Sequence, residues 1–163
     1  MYPQLLIQSE NVLCNAYARS KKHCLEILSE LLARSSPHIA SEVVFSGLIE
    51  RERLGCTSLD KGVAFPHCRV PGVIDSTGAL IKLSEPVDFD SSDGQQVDLI
   101  FGLMLPIELG KNHYAEIGFI TDLMNDDALR AALRKANSSR ELYDALTAGS
   151  GPRVAESRRA HNG

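Results

Sequence analysis

The chain has 163 residues, of which 44% are hydrophobic and 23% charged, and this composition is that of one globular domain. Its formal net charge of −4 disfavours nucleic-acid and anionic-membrane partners, because phosphate groups recruit lysine and arginine. No apolar run reaches the roughly 18 residues of a membrane span, and no basic segment precedes an apolar one at the N-terminus, so we expect a cytoplasmic protein without a signal peptide.

Two helices are predicted in the first third of the chain. The first residues carry only scattered apolar side chains, which favours short strand or turn structure. From Ser20, a suitable N-cap, apolar residues recur at intervals of three and four until Ser35-Ser36-Pro37 interrupts the pattern. A second helix is predicted from about Ser41 to Leu54, with Gly55 at its C-terminal end.

A short strand is predicted just before a histidine. Residues 56–61 have the composition of a loop, and the following run, Gly62 to Pro66, is apolar and ends at a proline. We therefore expect a strand that stops immediately before His67. Side chains at strand ends are common positions for chemistry because loops there are open to ligands.

The middle of the chain predicts a hairpin with one fully buried strand. Residues 78–83 and 87–89 are strand-like, and residues 91–94 form a turn sequence. The segment Val97 to Leu105 is nearly continuously apolar and ends at Pro106, which is typical of a central strand covered on both faces. The short connection between these strands favours antiparallel pairing and hence a mixed sheet.

Three further helices are predicted toward the C-terminus. Asn112 and Asp126 are candidate N-caps, and Ser138 with Glu141 forms a candidate capping box. The order of elements predicts an α/β fold, a three-layer α/β/α sandwich with a mixed central sheet. We expect a single domain over residues 1–149 and a disordered tail over residues 150–163, which are polar and rich in arginine.

The spacing of cysteine and histidine argues against a bound metal. Cys14, Cys24, Cys56 and Cys68 form no C-x-x-C pair, and a chain of this length does not need disulfides. The H-E-x-x-H motif is absent and the five histidines show no ligand spacing. We expect neither a metal nor another cofactor.

Two histidines and an arginine together fit phosphate chemistry. His67 follows a predicted strand, His113 lies at the start of a predicted helix whose free N–H groups attract anions, and Arg51 lies in the helix that leads toward His67. Taken singly, each is more often a surface or packing residue, and the spacing alone does not prove a site. The nucleotide-binding and hydrolase motifs G-x-x-x-x-G-K-[ST], G-x-G-x-x-G and G-x-S-x-G are absent. A thiol enzyme that uses Cys68 with His67 is a weaker alternative, because neighbours in sequence rarely face each other.

Several segments resemble one protein family. Residues 57–67 read Thr-Ser-Leu-Asp-Lys-Gly-Val-Ala-Phe-Pro-His, residues 49–55 contain Arg-Glu, and residues 111–113 read Lys-Asn-His. In this order they resemble the fructose/mannitol-type IIA domains of the bacterial phosphoenolpyruvate-dependent phosphotransferase system, with residues 97–101 matching the buried strand. The resemblance covers residues 9–148 and is most similar to the nitrogen-regulatory type.

The resemblance implies a phosphotransferase component. His67 would accept a phosphoryl group from the phosphohistidine of an HPr-like carrier and become a tele-phosphohistidine, while His113, Arg51 and Thr57 would stabilise the phosphate. The phosphorylation state would control binding of regulatory targets such as potassium-transport or sensor proteins. Independently of the resemblance, we expect a monomer or weak dimer by default. One alternative is a IIA subunit for fructose or mannitol uptake, which passes phosphate to a IIB cysteine. Another is a binding domain that keeps the fold without being phosphorylated.

Two positions depart from the family pattern. The family usually has glycine after the active histidine, whereas this chain has Cys68, and the following position is Arg69 rather than lysine. We expect Cys68 to add bulk near the surface that docks the carrier and to offer a site of oxidation. Neither change removes the acceptor histidine.

Overall fold

The computed structural model describes residues 6–148, which form six strands and five helices. The strands are β1 Val12–Ala16, β2 Ser58–Asp60, β3 Val63–Ala64, β4 His67–Arg69, β5 Thr77–Val87 and β6 Val97–Leu105. The helices are α1 Lys21–Ala33, α2 Ser41–Leu54, α3 Lys111–Met124, α4 Asp127–Lys135 and α5, residues 139–148. The predicted tail, residues 150–163, lies outside the described residues, so the extent of the domain stays a prediction.

The six strands form one mixed sheet with β6 at its centre. The strand order is β1-β5-β6-β3-β2, and β4 pairs with β6 along the same edge as β3. Strands β5 and β6 are antiparallel, whereas β1 runs parallel to β5, and β3 and β4 run parallel to β6. The predicted hairpin and mixed sheet are confirmed.

Helices cover both faces of the sheet, which confirms the predicted three layers. Side chains alternate along each strand, so Ile81 and Ile100 pack in the core under α1 and α2. Leu80 and Phe101 pack in the second core, under α3, α4 and α5. Strand β6 contributes to both cores, as its continuous apolar sequence indicates.

The chain pairs with the sheet again at His67, where the sequence predicts that a strand has just ended. A strand does end before His67, at Ala64, but the loop expected at His67 is absent, because Pro66, which lacks an N–H group, interrupts the ladder only locally. Its carbonyl still accepts from the backbone N–H of Leu103 at 3.1 Å. His67 then opens β4 in register with Leu103. The acceptor candidate is therefore fixed by the central strand rather than placed on a free loop.

Two other differences come from pairing between strands. Residues 78–83 and 87–89 were predicted as separate strands, but β5 continues to Val87 through a register shift opposite β6. Residues 56–61, predicted as a loop, contain β2, which pairs antiparallel with β3 across a turn with positive φ at Asp60 and Lys61. Such short strands depend on a partner that local composition does not show.

Helix caps follow the sequence except at α3. Ser20 and Asp126 accept hydrogen bonds from backbone N–H groups three residues on, as does Ser138 ahead of α5. These predicted caps are confirmed. The helix predicted to be capped by Asn112 begins at Lys111, with Gly110 as its N-cap. This shift places His113 at the third helical position.

Replacing Gly102 of β6 with alanine should destabilise the fold. An added Cβ would lie 2.6 and 2.7 Å from Cδ2 and Cγ of Leu28, which is fully buried in α1. Overpacking of this kind costs about 1–3 kcal/mol. The matched control is Gly118→Ala in α3, where nothing lies within 4 Å, and which we expect to stabilise by about 1 kcal/mol. Chemical denaturation of both variants measures the difference, and equal unfolding free energies would contradict the packing argument.

Within residues 6–148, no helix is both long and apolar enough to cross a membrane. In the same range, no group of three or more histidine, cysteine, aspartate or glutamate side chains is arranged to hold a metal ion.

Candidate active site

His67 is held in one ring tautomer by the backbone beside it. Its Nδ1 lies 2.9 Å from the carbonyl oxygen of Phe65. Because a carbonyl oxygen only accepts, Nδ1 carries the proton and donates. The unprotonated nitrogen of the neutral ring is then Nε2, whose lone pair can act as a nucleophile.

A depression of about 490 Å³ surrounds this histidine. We call it the His67 depression; its walls come from the last turns of α2, from β4, from the segment after β6 and from the first turns of α3. Arg51 and Arg69 are the cationic side chains among its lining residues. Three exposed apolar side chains lie along the rim, namely Leu54, Ile107 and Tyr114, at 85%, 47% and 63% exposure. Apolar side chains this exposed around a nucleophile are typical of a surface that binds another protein.

The surroundings of His67 favour the neutral ring. Burial is the largest cause and lowers the pKa of His67 below 6.5, because the charged imidazolium loses hydration. The hydrogen bond to Phe65 raises the pKa, the positive charge of Arg51 lowers it and the negative charge of Glu52 raises it. The net direction is downward, so the ring is neutral and nucleophilic at neutral pH.

We expect the pH dependence of the site to follow from this lowered pKa. Protonation of Nε2 removes its lone pair, so the reactivity of His67 should fall as the pH drops through a value below 6.5 and should be flat above it. NMR titration of the His67 ring gives the pKa directly. The initial rate at which His67 is modified, measured over the same pH range, should have its midpoint at the same pH. A midpoint above 6.5 would contradict the effect of burial.

Arg51 is placed by the C-terminal end of α2. Its Nη1 donates to the carbonyl oxygen of Gly55 at 3.0 Å, which orients the guanidinium beside the depression. The same guanidinium is close enough to His67 to lower its pKa. A planar guanidinium presents further N–H groups that match phosphate oxygens. The structure therefore brings Arg51 and His67 together.

His113 borders the site without lining it. It occupies the third position of α3, and its Nδ1 accepts from the backbone N–H of Gly110 at 2.8 Å. The ring proton then lies on Nε2, which is free to donate. The adjacent Tyr114 lines the His67 depression, so the N-terminal turn of α3 faces it. His113 is thus close in the fold to the depression but outside its walls.

Thr57 is not brought into the depression. Its side chain is buried, and its hydroxyl donates to a carboxylate oxygen of Glu52. The predicted hydroxyl donor for phosphate is thus already engaged. Glu52 also belongs to the surroundings of His67, although the sequence analysis did not assign it to the site. The Arg-Glu segment drew attention to this position, but a glutamate at the end of a helix is usually solvated, so its burial was not expected.

Cys68 is almost completely buried in the wall of the His67 depression. Its side chain is 6% exposed and packs against α2, where a Cβ added to Gly47 would come within 3.3 Å of the sulfur. Burial raises the pKa of the Cys68 thiol to about 12, so the sulfur stays protonated at neutral pH. The thiol therefore fills space beside Gly47 in the wall of the depression, and a thiolate nucleophile at this position is disfavoured.

Comparison with known proteins decides the family. Residues 5–149 match the family described as "Phosphoenolpyruvate-dependent sugar phosphotransferase system, EIIA 2". The chain belongs to this EIIA 2 family. Membership makes it a component of a phosphotransferase system.

Relatives of the EIIA 2 chain include nitrogen regulatory proteins. It is 35% identical to one from Klebsiella oxytoca over 86% of this chain and 91% of that protein, and 37% identical to one from Pseudomonas aeruginosa over 80% and 85%. The crystal structure of nitrogen regulatory protein IIA-Ntr from Neisseria meningitidis matches with a TM-score of 0.82 and 34% identity, over 89% of this chain and 99% of that one. The resemblance to the nitrogen-regulatory type is therefore confirmed.

Proposed function

We propose that this EIIA 2 protein is a regulator that accepts a phosphoryl group on Nε2 of His67 from the phosphohistidine of an HPr-like carrier. The observation that carries the proposal is the hydrogen bond from Nδ1 to Phe65, which leaves Nε2 as the nucleophilic nitrogen of a neutral ring. This ring lines a depression that also contains a guanidinium and exposed apolar side chains.

The proposed step is an exchange of one N–P bond for another. The bond between phosphorus and the carrier imidazole breaks as the bond to His67 Nε2 forms, and the carrier leaves with a neutral ring. His67 needs no base, because its lone pair is already available on Nε2. The three phosphoryl oxygens carry the charge, which Arg51 and the N-terminal turn of α3 stabilise. Positioning and charge stabilisation suffice for phosphoryl transfer of this kind.

Phosphorylation would change how partners bind this surface. The phosphoryl group adds about −1.5 to −2 charges at neutral pH beside the apolar rim of Leu54, Ile107 and Tyr114. A partner that packs on the rim would then gain or lose charge complementarity. We propose cytoplasmic targets such as potassium-transport or sensor proteins, bound by a monomer or weak dimer.

The regulatory role is tested by comparing the affinity of the phosphorylated and the unphosphorylated protein for a target. Phosphorylated and unphosphorylated full-length protein are immobilised separately and presented with a potassium-transport or sensor protein. Affinities that differ at least tenfold, about 1.4 kcal/mol, would support the proposal. Equal affinities for each target tested would contradict it.

The alternative role is sugar uptake, and it predicts a different fate for the phosphate. Addition of a fructose- or mannitol-specific IIB subunit and its sugar to the labelled protein should leave the label on His67 if the role is regulatory. Rapid loss of label into sugar would favour uptake.

His113→Ala should slow phosphoryl transfer about tenfold while the acceptor remains, because one hydrogen-bond donor to the phosphate is lost. The variant His113→Asn keeps an oxygen that can accept from the N–H of Gly110, so it separates helix capping from phosphate binding. Single-turnover transfer from the phosphorylated carrier measures both variants. Wild-type rates in both would remove the proposed role of His113.

A further inference from the structure

We propose that Glu52, together with Lys21, is a positioning residue that holds His67 in its reactive tautomer. The inference rests on the proposed phosphoryl transfer for its functional consequence, but its structural part concerns the ring itself and is tested without a phosphoryl donor.

The first observation is that the side chain of Glu52 is buried and that both of its carboxylate oxygens have partners. Its side chain is 6% exposed, although it follows the half-buried Arg51 in the last turn of α2. A buried carboxylate is costly unless it is paired and hydrogen-bonded. Lys21 Nζ lies 2.7 Å from its Oε2, the hydroxyl of Thr57 donates to its Oε1, and the backbone N–H of Thr57 donates to Oε2 at 3.4 Å.

The second observation is that Lys21 stands where a helix does not favour a cation. It is the first residue of α1, at the positive end of the helix dipole. Its Nζ also donates to the carbonyl of Phe89 at 3.4 Å and lies 5.3 Å from the centre of that ring. This lysine is therefore fixed by partners from two separate parts of the chain, Glu52 and Phe89, and its pairing with Glu52 ties α1 to α2.

A continuous series of hydrogen bonds leads from this ion pair to His67. Glu52 holds Thr57 by its hydroxyl and N–H, and the carbonyl of Thr57 accepts from the N–H of Phe65 at 2.9 Å. The carbonyl of the same Phe65 accepts from His67 Nδ1 at 2.9 Å. Phe65, whose carbonyl selects the ring tautomer, is therefore anchored at its own N–H by Thr57, which the carboxylate of Glu52 holds in turn.

The ion pair also suits a site that gains negative charge. Glu52 is close enough to His67 to raise its pKa. An unpaired carboxylate at that distance would repel a phosphoryl group on Nε2, whereas pairing with Lys21 offsets its charge. Glu52 can thus anchor the backbone of the site at a reduced electrostatic cost to phosphorylation.

The test uses the full chain and two readouts. In ¹⁵N-labelled protein, the ring nitrogens of His67 report which of them carries the proton. We expect the wild type to show Nδ1–H, and Glu52→Gln and Lys21→Met to show a mixture with Nε2–H. Transfer from the phosphorylated carrier to either variant should be slower by between about tenfold and a hundredfold, the range expected when a reacting group is misplaced.

Matched variants separate positioning from general damage. Glu30→Gln on the exposed side of α1 and Lys22→Met, next to Lys21, remove the same charges outside the network and should behave as the wild type. Lys21→Arg keeps the cation and Thr57→Ser keeps the hydroxyl, so both should restore the tautomer and most of the rate. If Glu52→Gln fails to fold, Lys21→Met and Thr57→Val provide the same test, because each removes one partner of the Glu52 carboxylate instead of the carboxylate itself.

The outcomes decide the two proposals separately. Folded Glu52→Gln and Lys21→Met variants with the wild-type tautomer would overturn the positioning role, whatever their transfer rates. A wild type that accepts no phosphoryl group from the carrier would overturn the proposed function, while the comparison of tautomers would still decide the role of Glu52.

Discussion

His67→Ala should abolish phosphorylation of the protein entirely. The variant lacks the only proposed nucleophile, and Cys68 beside it cannot substitute because burial raises its thiol pKa to about 12. With phosphoenolpyruvate, the upstream phosphotransferases and the carrier, the wild type should acquire an acid-labile label, as a phosphoramidate does, and the variant should acquire none. Intact-protein mass spectrometry before and after acid treatment measures this.

A variant of a second histidine is the control for a general effect of losing an imidazole side chain. His38→Ala removes another imidazole, one whose Nε2 contacts the carbonyl of Gly72 and which lines a different depression. It should be labelled like the wild type. Persistent labelling of His67→Ala would refute the assignment of the acceptor, and loss of label in both variants would point to damage of the fold.

Arg51→Met should reduce the rate of phosphoryl transfer about a hundredfold, the typical effect of removing one preorganised donor that stabilises developing charge. Methionine keeps much of the apolar stem, so packing in the last turn of α2 should change little. Arg51→Lys keeps the charge but loses the planar fork, and its rate should lie between those of Arg51→Met and the wild type. Single-turnover kinetics with the phosphorylated carrier measure all three proteins.

The same variant makes a prediction for the pKa of His67. Because the charge of Arg51 lowers that pKa, Arg51→Met should raise it toward the ordinary value of histidine. The control is Arg53→Met, which removes an exposed arginine from the same turn of α2 but outside the His67 depression. Equal transfer rates in the two variants would show that net charge, rather than the position of Arg51, affects transfer.

Local patterns predicted the helices well and the short strands poorly. The helix from Ser41 to Leu54 and the cap at Ser20 follow from periodicity and from one hydroxyl, both of which are local properties. The restart of the sheet at His67 depends on the register with Leu103, which lies far away in the sequence. In the sequence alone, a proline between two short apolar segments predicts the end of a strand. Only the pairing with β6 shows that a second strand begins directly after it.

In the candidate site, too, local sequence motifs were predictable and contacts between distant segments were not. The motif around Arg51, His67 and His113 was recognisable, but Thr57 was assigned to the phosphate, whereas its hydroxyl is bound to Glu52. Burial of Glu52 arises where α1 packs against α2 and Lys21 reaches it. No spacing within either helix encodes that contact.

The sequence by itself determined the amphipathic helices, the buried central strand β6 and the nucleophile candidate beside Pro66. Each depends on the period of apolar residues or on the chemistry of neighbouring residues, which a linear chain displays directly. The tertiary structure alone decided the tautomer of His67, the proximity of Arg51, the engagement of Thr57 and the burial of Cys68. These properties depend on burial and hydrogen bonds between distant segments, and both exist only once the helices and the sheet have packed together.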